Sequence, residues 1–240
     1  MIPAYRSSTR SYVPELMDVE PVPYEEFAAC LRDIARINAA LNAYAPTLAW
    51  LRRGWAARPK DAAPFRILDA GCGYGDTLRA VAREARRRKV DVELVGIDIN
   101  PWAKRVAESV TPAPDRIRFE TADIFAWDDG PYDAIISSLF THHLDDDEAV
   151  AFLRWMHVNA RGGWFVNDLH RHVLAYAFIA AAVRTFRLHR FVRNDAPLSV
   201  ARAFRRREWD ALIARAELGG ERAPRVRWEP LFRYCVAWER

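Results

Sequence analysis

The chain has 240 residues, about half of them hydrophobic, and a formal net charge of +4. This composition predicts a folded protein with a sizeable core and excludes a disordered chain. The three cysteines are widely spaced and form no Cys-x-x-Cys pair, so neither a zinc site nor a disulfide framework is indicated, and a reducing cytoplasm is expected. No stretch reaches the roughly 18 apolar residues of a membrane span, and no signal-peptide pattern is recognised.

Residues 1–60 are predicted to form an arm and a helical cap. Prolines interrupt every candidate helix in residues 1–20, which favours a loosely structured arm. Apolar residues recur at helical spacing over residues 24–53, and Pro46 divides this stretch into two helices or kinks one helix. The main domain is expected over residues 61–240.

Residues 66–100 contain the most informative pattern of the chain. An apolar run that ends at Leu68 is followed by glycines at alternate positions, Gly71, Gly73 and Gly75. Together they predict a strand, a tight turn that a ligand can approach closely, and a helix over residues 77–89. The next apolar run ends at Asp98, whose carboxylate can accept both hydroxyls of a ribose from the tip of a parallel strand. This order predicts the nucleoside-binding half of an α/β fold.

The spacing of the glycines discriminates between nucleoside ligands. A dinucleotide site carries Gly-x-Gly-x-x-Gly, whereas the third glycine here falls one position early and Asp69 precedes the turn. A carboxylate repels a pyrophosphate and attracts a sulfonium or ammonium group, which disfavours an NAD-linked oxidoreductase. The segment LDAGCGYG, with GID at the end of the next strand, resembles class I S-adenosylmethionine-dependent methyltransferases. The resemblance implies a Rossmann-like α/β fold with a seven-stranded sheet, and S-adenosylmethionine as the cofactor.

The same resemblance implies which residues bind the methyl donor. A third strand over residues 117–120 leads to Asp123, whose carboxylate would accept the exocyclic amine of the adenine; an ordinary loop acid is the alternative. In this superfamily an N-terminal helical cap commonly lies over the donor pocket, and a cap that only packs on the sheet is the alternative. The donor-binding set is Asp69, Gly71, Gly73, Gly75, Asp98, Ile99, Asp123, Ile124 and Ser138.

A pair of histidines follows the predicted fourth strand, residues 132–138. Ligands of open α/β sheets bind at the carboxyl ends of the strands, so His142 and His143 are expected close to the transferred methyl group. One of them is a candidate general base while the other caps or packs, and a structural role for both is the alternative. No metal site is predicted, because the carboxylates at 145–148 suit the N-terminus of the next helix.

A second polar cluster follows the predicted fifth strand, residues 164–166. The preceding helix is expected to reach Asn159 and to end at the glycines of residues 161–163. The cluster itself contains Asp168 and His170, and an aspartate can orient a neighbouring imidazole. The preferred base is therefore His143 or His170 with Asp168 as its orienting partner, and an all-structural cluster is the alternative.

Residues 171–200 are predicted to be an insertion. Residues 173–183 are apolar on nearly every face, and arginines follow at intervals of three, Arg184, Arg187, Arg190 and Arg193. The insertion is either a lid on the pocket or a weak contact with a membrane surface through residues 173–193. A last helix over 201–218 and an antiparallel hairpin of 226–228 with 234–238 complete the seven-stranded sheet.

A closer likeness covers the whole chain. The segments ELMD, SSLFTHHL and VNDLHRH resemble a bacterial group related to the ubiquinone/menaquinone-biosynthesis methyltransferases (type 11), often found in polyketide-associated gene clusters. The likeness implies methyl transfer to a small aromatic or polyketide-like acceptor, with O-methylation favoured over C-methylation. RNA methylation and a non-catalytic S-adenosylmethionine-binding module are the rivals. Nucleic acid is disfavoured as a partner because the arginines lie beside glutamates on predicted helix faces.

Overall fold

The computed structural model describes residues 5–59, 62–186, 188–220 and 222–240. The predicted boundary between residues 60 and 61, and Arg187 of the arginine series, lie outside the described residues.

Strands and helices alternate through the middle of the chain, as expected of an α/β fold. The strands are β1 Phe65–Ala70, β2 Val92–Asp98, β3 Ile117–Thr121, β4 Tyr132–Ser138, β5 Ala160–Leu169, β6 Arg225–Glu229 and β7 Arg233–Glu239. The α-helices are α1 Leu16–Val19, α2 Tyr24–Ala40, α3 Ala45–Ala56, α4 Asp76–Arg88, α5 Pro101–Val110, α6 Asp146–Asn159, α7 Val173–Thr185, α8 Arg190–Arg202 and α9 Arg206–Arg215.

The strands form one seven-stranded sheet in the order β3-β2-β1-β4-β5-β7-β6. β1 to β5 are parallel, whereas β7 pairs antiparallel with both β5 and β6. The predicted Rossmann-like fold with its closing hairpin is confirmed. The strand order reverses between β1 and β4, and open α/β sheets bind ligands at such a point, outside the carboxyl ends of the strands.

Each face of the sheet carries its own core. Leu68 points to the face that α6 and α9 cover, and its neighbour Ile67 points to the face that α3 and α4 cover. Both side chains are fully buried, which is why the parallel strands appear as continuous apolar runs rather than alternating ones. Burial of one such side chain stabilises the fold by about 1.5–3 kcal/mol.

The cap consists of two helices, as Pro46 predicted. α2 ends at Ala40 and α3 begins at Ala45, with Pro46 in its first turn. A proline is tolerated there because the backbone N–H groups of the first turn have no partner within the helix. From residue 5 onward the preceding arm is held by specific contacts, contrary to the loose structure predicted for it. The guanidinium of Arg10 donates to the backbone oxygens of Arg202 (2.6 Å) and His142 (2.9 Å), which ties the arm to the sheet edge.

Two boundaries in the second half differ from the prediction. Gly162 and Gly163 do not end α6 but lie inside β5. A Cβ on Gly163 would come 2.4 Å from the backbone oxygen of Trp238, so glycine is needed there for the close approach of β7. The predicted last helix is interrupted, since α8 runs to Arg202 and α9 begins only at Arg206.

The insertion forms α7 and α8, which pack against each other. α7 buries a stripe of small residues and leaves Val173, Leu174 and Phe178 more than half exposed. Within the described residues, no helix is long and apolar enough to cross a membrane. Contact of this exposed face with a membrane surface stays a prediction.

Candidate active site

A cavity of about 640 Å³ lies at the carboxyl ends of β1, β2, β4 and β5. The glycine turn and the residues that follow β2, β3 and β4 form its floor, and α1 and α2 cover it. Eight of the nine residues predicted to bind the donor line this cavity: Asp69, Gly71, Gly73, Asp98, Ile99, Asp123, Ile124 and Ser138.

Gly75, the ninth predicted residue, does not line the cavity. It precedes the first turn of α4 with φ +69°, and a Cβ there would lie 2.7 Å from the ring of Phe119. Gly71 also needs its positive φ of +71°, and its Cβ would lie 2.5 Å from Phe140. At both positions glycine therefore serves the turn and the packing of the protein's own rings.

The carboxylate of Asp98 is fixed by the backbone on both sides. The N–H of Gly73 donates to Oδ2 and the N–H of Asn100 donates to Oδ1, each at 2.9 Å. Burial raises the pKa of Asp98, and these two hydrogen bonds act against it. Each oxygen keeps a lone pair toward the cavity, so the carboxylate can accept two hydroxyls of a ribose.

The glycine turn is an acidic corner. Asp69 is 2% exposed and its Oδ1 has no hydrogen-bond partner within the described part of the chain. Burial, with the charges of Asp76 and Asp98, raises the pKa of Asp69 well above its usual range. Asp76 accepts from the hydroxyl of Tyr44 at 2.7 Å. A cationic group of a ligand would satisfy this corner, whereas a phosphate would be repelled.

A part of the cavity lining that follows β2 and β3 suits a flat apolar ring. Ile124 is buried, while Ile99 and Phe125 are exposed at the cavity wall. The Oδ1 of Asp123 accepts from the N–H of Phe125 at 2.9 Å, which fixes the carboxylate at the start of the turn.

His143 is the predicted base that lines the cavity. Its Nδ1 lies 3.0 Å from Oδ2 of Asp18, and its Nε2 lies 3.9 Å from Oε2 of Glu15. Burial acts to lower the pKa of His143, but the charge of Glu15 and the hydrogen bond and charge of Asp18 outweigh it and raise the pKa to about 9.

Asp168 was predicted to orient His143 or His170. In the structure it contacts His142 instead. The Oδ1 of Asp168 lies 2.7 Å from Nδ1 of His142, and Oδ2 accepts from the backbone N–H of His142 at 2.8 Å. Burial acts to raise the pKa of Asp168, but the charge and hydrogen bonds of His142 and the N–H of Leu169 lower it. His142 is 2% exposed and is not among the residues that line the cavity.

His170 also lies outside the lining of the cavity. Its ring packs against Tyr234, with centroids 4.6 Å apart, and against His172, with centroids 5.4 Å apart. Burial, together with the positive charge of His172, lowers the pKa of His170 to about 4. Of the two preferred bases, the geometry therefore places His143 in the cavity lining, and not His170.

Glu15 and Asp18 are cavity residues to which no role was assigned from the sequence. The ELMD segment that contains them supported the closer likeness, but an acid in a proline-rich arm carries no periodicity that would place it. α8 fixes this segment: Ser199 Oγ donates to Oε1 of Glu15 at 2.6 Å, and Asp195 accepts from the N–H groups of Leu16 and Met17.

The insertion is therefore a support rather than the expected lid. No described residue of 171–200 lines the cavity. Arg202, at the end of α8, donates to the backbone oxygens of His142 (3.1 Å) and His143 (2.7 Å). The insertion thus holds the segment that presents Glu15, and Arg202, just beyond the insertion on the same helix, holds the backbone at His143.

Three side chains lie close enough together to hold a metal ion. The ligand atoms of Glu15, His142 and His143 are within 4.8 Å of one another. The absence of a metal site stays a prediction, for which chelation is a direct test.

Known proteins resemble this chain in sequence and in fold. The family described as Methyltransferase domain matches residues 67–163. Ajmaline N-methyltransferase from Rauvolfia serpentina is 31% identical over 115 residues, which cover 45% of this chain and only 37% of that protein. Magnesium protoporphyrin IX methyltransferase from Synechocystis PCC 6803, with bound SAH, has a TM-score of 0.56 at 14% identity, over 84% of this chain and 83% of that one. A plantazolicin methyltransferase in complex with a monoazolic desmethylPZN analog and SAH has a TM-score of 0.60 at 13% identity, over 90% of this chain and 96% of that one.

Residues 67–163 thus match a methyltransferase domain, and the fold is shared with solved methyltransferases that bind SAH. The class predicted from the sequence is confirmed. The closer likeness to the ubiquinone/menaquinone group stays a prediction.

Proposed function

We propose that the protein transfers a methyl group from S-adenosylmethionine to an oxygen of a small acceptor, with His143 as the general base. The observation that carries this proposal is the position of His143. It lines the same cavity as Asp69 and Asp98 and is held by Asp18.

The cavity residues fit the donor at three points. Asp69 would take the cationic methionine end, Asp98 the ribose hydroxyls, and Asp123 with its apolar neighbours the adenine. When bound, the donor supplies an electrophilic methyl group on a sulfonium. The protein then mainly contributes proximity and alignment, since the donor is already activated.

His143 has the geometry of an oriented base. Its Nδ1–H donates to Asp18, which leaves Nε2 to accept the proton of the acceptor hydroxyl as the oxygen takes the methyl group. With a pKa of about 9, most of His143 is protonated at neutral pH in the protein without ligand. A sulfonium in the same cavity would lower this pKa, because a like charge disfavours the imidazolium. Removal of a proton on the way to C-methylation would use the same base.

The enclosure of the cavity favours a small acceptor. Its volume of about 640 Å³ lies in the range of about 300–1,000 Å³ found for small-molecule sites. Met17 and Phe27 give it an apolar cover, which suits an aromatic or polyketide-like compound. The relatives above are named for ajmaline, magnesium protoporphyrin IX and plantazolicin, so their acceptors differ from one another.

The test is formation of SAH by the purified protein from S-adenosylmethionine and a panel of phenols, enols and amines, followed by mass spectrometry of the methylated product. We expect O-methylated products with the wild type and a loss of about 100-fold or more in kcat with His143→Gln, while binding of SAH is retained. His157→Gln is the matched control because His157 lies outside the cavity lining. Equal turnover by His143→Gln would remove His143 from the mechanism. Failure to bind S-adenosylmethionine would reject the methyltransferase proposal altogether.

A further inference from the structure

Arg233, the first residue of β7, has unused hydrogen-bonding capacity inside the cavity. The side chain lines the cavity and the residue is only 4% exposed. Its Nε and Nη1 are buried and donate to no atom of the described residues. Burial lowers the pKa of Arg233, because the charged form loses its hydration. The arginine nevertheless keeps its charge. A buried charged donor without a partner is costly, and an accepting ligand would offset that cost.

Arg233 differs in this respect from the other buried arginines. Four arginines are buried in the described part of the chain, and three of them donate to backbone or side-chain oxygens: Arg79, Arg171 and Arg202. Arg233 forms no salt bridge with a described carboxylate. The charge of Asp168 acts on it, but both oxygens of Asp168 are already engaged by His142 and the N–H of Leu169.

The strand that carries Arg233 is not adjacent in the sheet to the strand that carries the acidic corner. In the sheet, β4 and β5 separate β7 from β1, which carries Asp69. At a spacing of about 4.8 Å per strand, β1 and β7 are roughly 14 Å apart. His143 follows β4, which lies between β1 and β7 in the sheet.

We propose that Arg233 binds a carboxylate of the acceptor, so that the acceptor is a hydroxycarboxylic acid whose hydroxyl faces His143. This proposal rests on the proposed function, because it assigns one end of the same cavity to the acceptor. Arginine suits this role because it keeps its positive charge, and a charge-assisted hydrogen bond to a carboxylate is stronger than a neutral one. A carboxylate at its cavity-facing edge would also stabilise the charge that the buried nitrogens share.

The experiment measures binding and needs no turnover. Calorimetry on protein saturated with SAH compares each of the 2-, 3- and 4-hydroxybenzoic acids with its neutral hydroxybenzamide. We expect at least one acid to bind about tenfold or more tightly than its amide, and Arg233→Met to abolish that preference without changing the affinity for SAH. Arg227→Met is the matched control, because Arg227 is exposed on the neighbouring strand β6. Arg233→Lys keeps the charge and should keep part of the preference, which preserves the test if the methionine variant does not fold.

The outcomes separate this proposal from the proposed function. If the wild type fails to bind SAH, the methyltransferase proposal fails. If SAH binds but no acid is preferred over its amide, the role of Arg233 is rejected and the methyltransferase proposal stands. If Arg233→Met weakens binding of SAH but not of 5′-methylthioadenosine, which lacks the amino-acid carboxylate, then Arg233 binds the donor and the assignment to the acceptor is wrong.

Discussion

Asp168 holds His142 from two directions, through Nδ1 of the ring at 2.7 Å and through the backbone N–H at 2.8 Å. The contact joins the polar clusters that follow β4 and β5. It fixes the backbone immediately before His143, so that a residue outside the cavity lining determines how the proposed base is presented.

Asp168→Asn should destabilise the fold, because it leaves a buried imidazole without its carboxylate. We expect a loss of about 3 kcal/mol in the free energy of unfolding at pH 7, measured by urea titration. The pKa of Asp168 is depressed in the folded protein, so its contribution is present above the unfolded pKa of about 3.9 and is lost as the pH falls through the lower, folded pKa. The variant should therefore lose less stability than the wild type below about pH 4. Asp128→Asn, an exposed acid, should change neither quantity.

His143 should impose an acidic limb on the pH profile, along which activity rises with pH. Only the neutral imidazole accepts a proton, and with a pKa of about 9 roughly 1% of it is neutral at pH 7. We expect kcat/KM for a phenolic acceptor to rise from pH 7 to about 9, and Asp18→Asn to move the limb to lower pH because it removes a hydrogen bond and a charge that favour the imidazolium. A profile that is flat in the wild type, or unmoved in Asp18→Asn, contradicts this assignment.

The same pKa has a consequence for stability. A folded pKa raised above the unfolded value of about 6.5 contributes stability that is fully present below pH 6.5 and is lost as the pH rises through about 9. Denaturant titrations from pH 6 to 10 should therefore show a smaller loss of stability in His143→Gln than in the wild type. An identical slope in both proteins would show that the folded pKa is not raised.

Asp98→Ala should weaken binding of S-adenosylmethionine by about 10- to 100-fold, since hydrogen bonds to a charged group contribute about 1.5–3 kcal/mol. Calorimetry with S-adenosylmethionine and, in parallel, NAD measures this effect. Asp128→Ala is the control for a general effect of removing an acid, because Asp128 is exposed and outside the cavity lining. Equal affinities of wild type and Asp98→Ala would exclude Asp98 from the ribose site.

Gly71→Ala should cost about 1–3 kcal/mol of stability and weaken donor binding, because φ is +71° and the new Cβ would lie 2.5 Å from Phe140. Gly219→Ala is the matched control, as no heavy atom lies within 4 Å of its Cβ position and its φ is not in the left-handed region. Thermal unfolding of the two variants compares them directly. Similar melting temperatures for both would mean that Phe140 and the turn relax freely.

Chelation should leave turnover unchanged. Glu15, His142 and His143 are spaced for a metal, but Oε1 of Glu15 accepts from Ser199, and the Nδ1 atoms of the histidines are engaged by Asp168 and Asp18. Dialysis against EDTA followed by metal analysis and assay checks this expectation. Activity that is lost on dialysis and restored by Zn²⁺ or Mg²⁺ would show that the cluster is a metal site.

The strand and helix positions were largely predictable because they depend on local pattern. Tyr132–Ser138 was predicted to the residue from a stretch dense in β-branched residues. One error arose because a glycine pair is compatible with two local structures. Gly162 and Gly163 fit the end of a helix in sequence, and only the approach of β7 shows that they belong to a strand.

The sequence by itself determined the class of the domain, because the glycine turn, Asp69 and Asp98 are close together along the chain and their roles follow from strand-turn-helix geometry. Only the tertiary structure decided which polar groups meet across the sheet edge. It assigned Asp168 to His142, brought Glu15 and Asp18 to His143, and left Arg233 in the cavity lining without a partner among the described residues. These partners are separated by 26 to more than 120 residues, and no local periodicity specifies a contact that depends on how helices and strands pack.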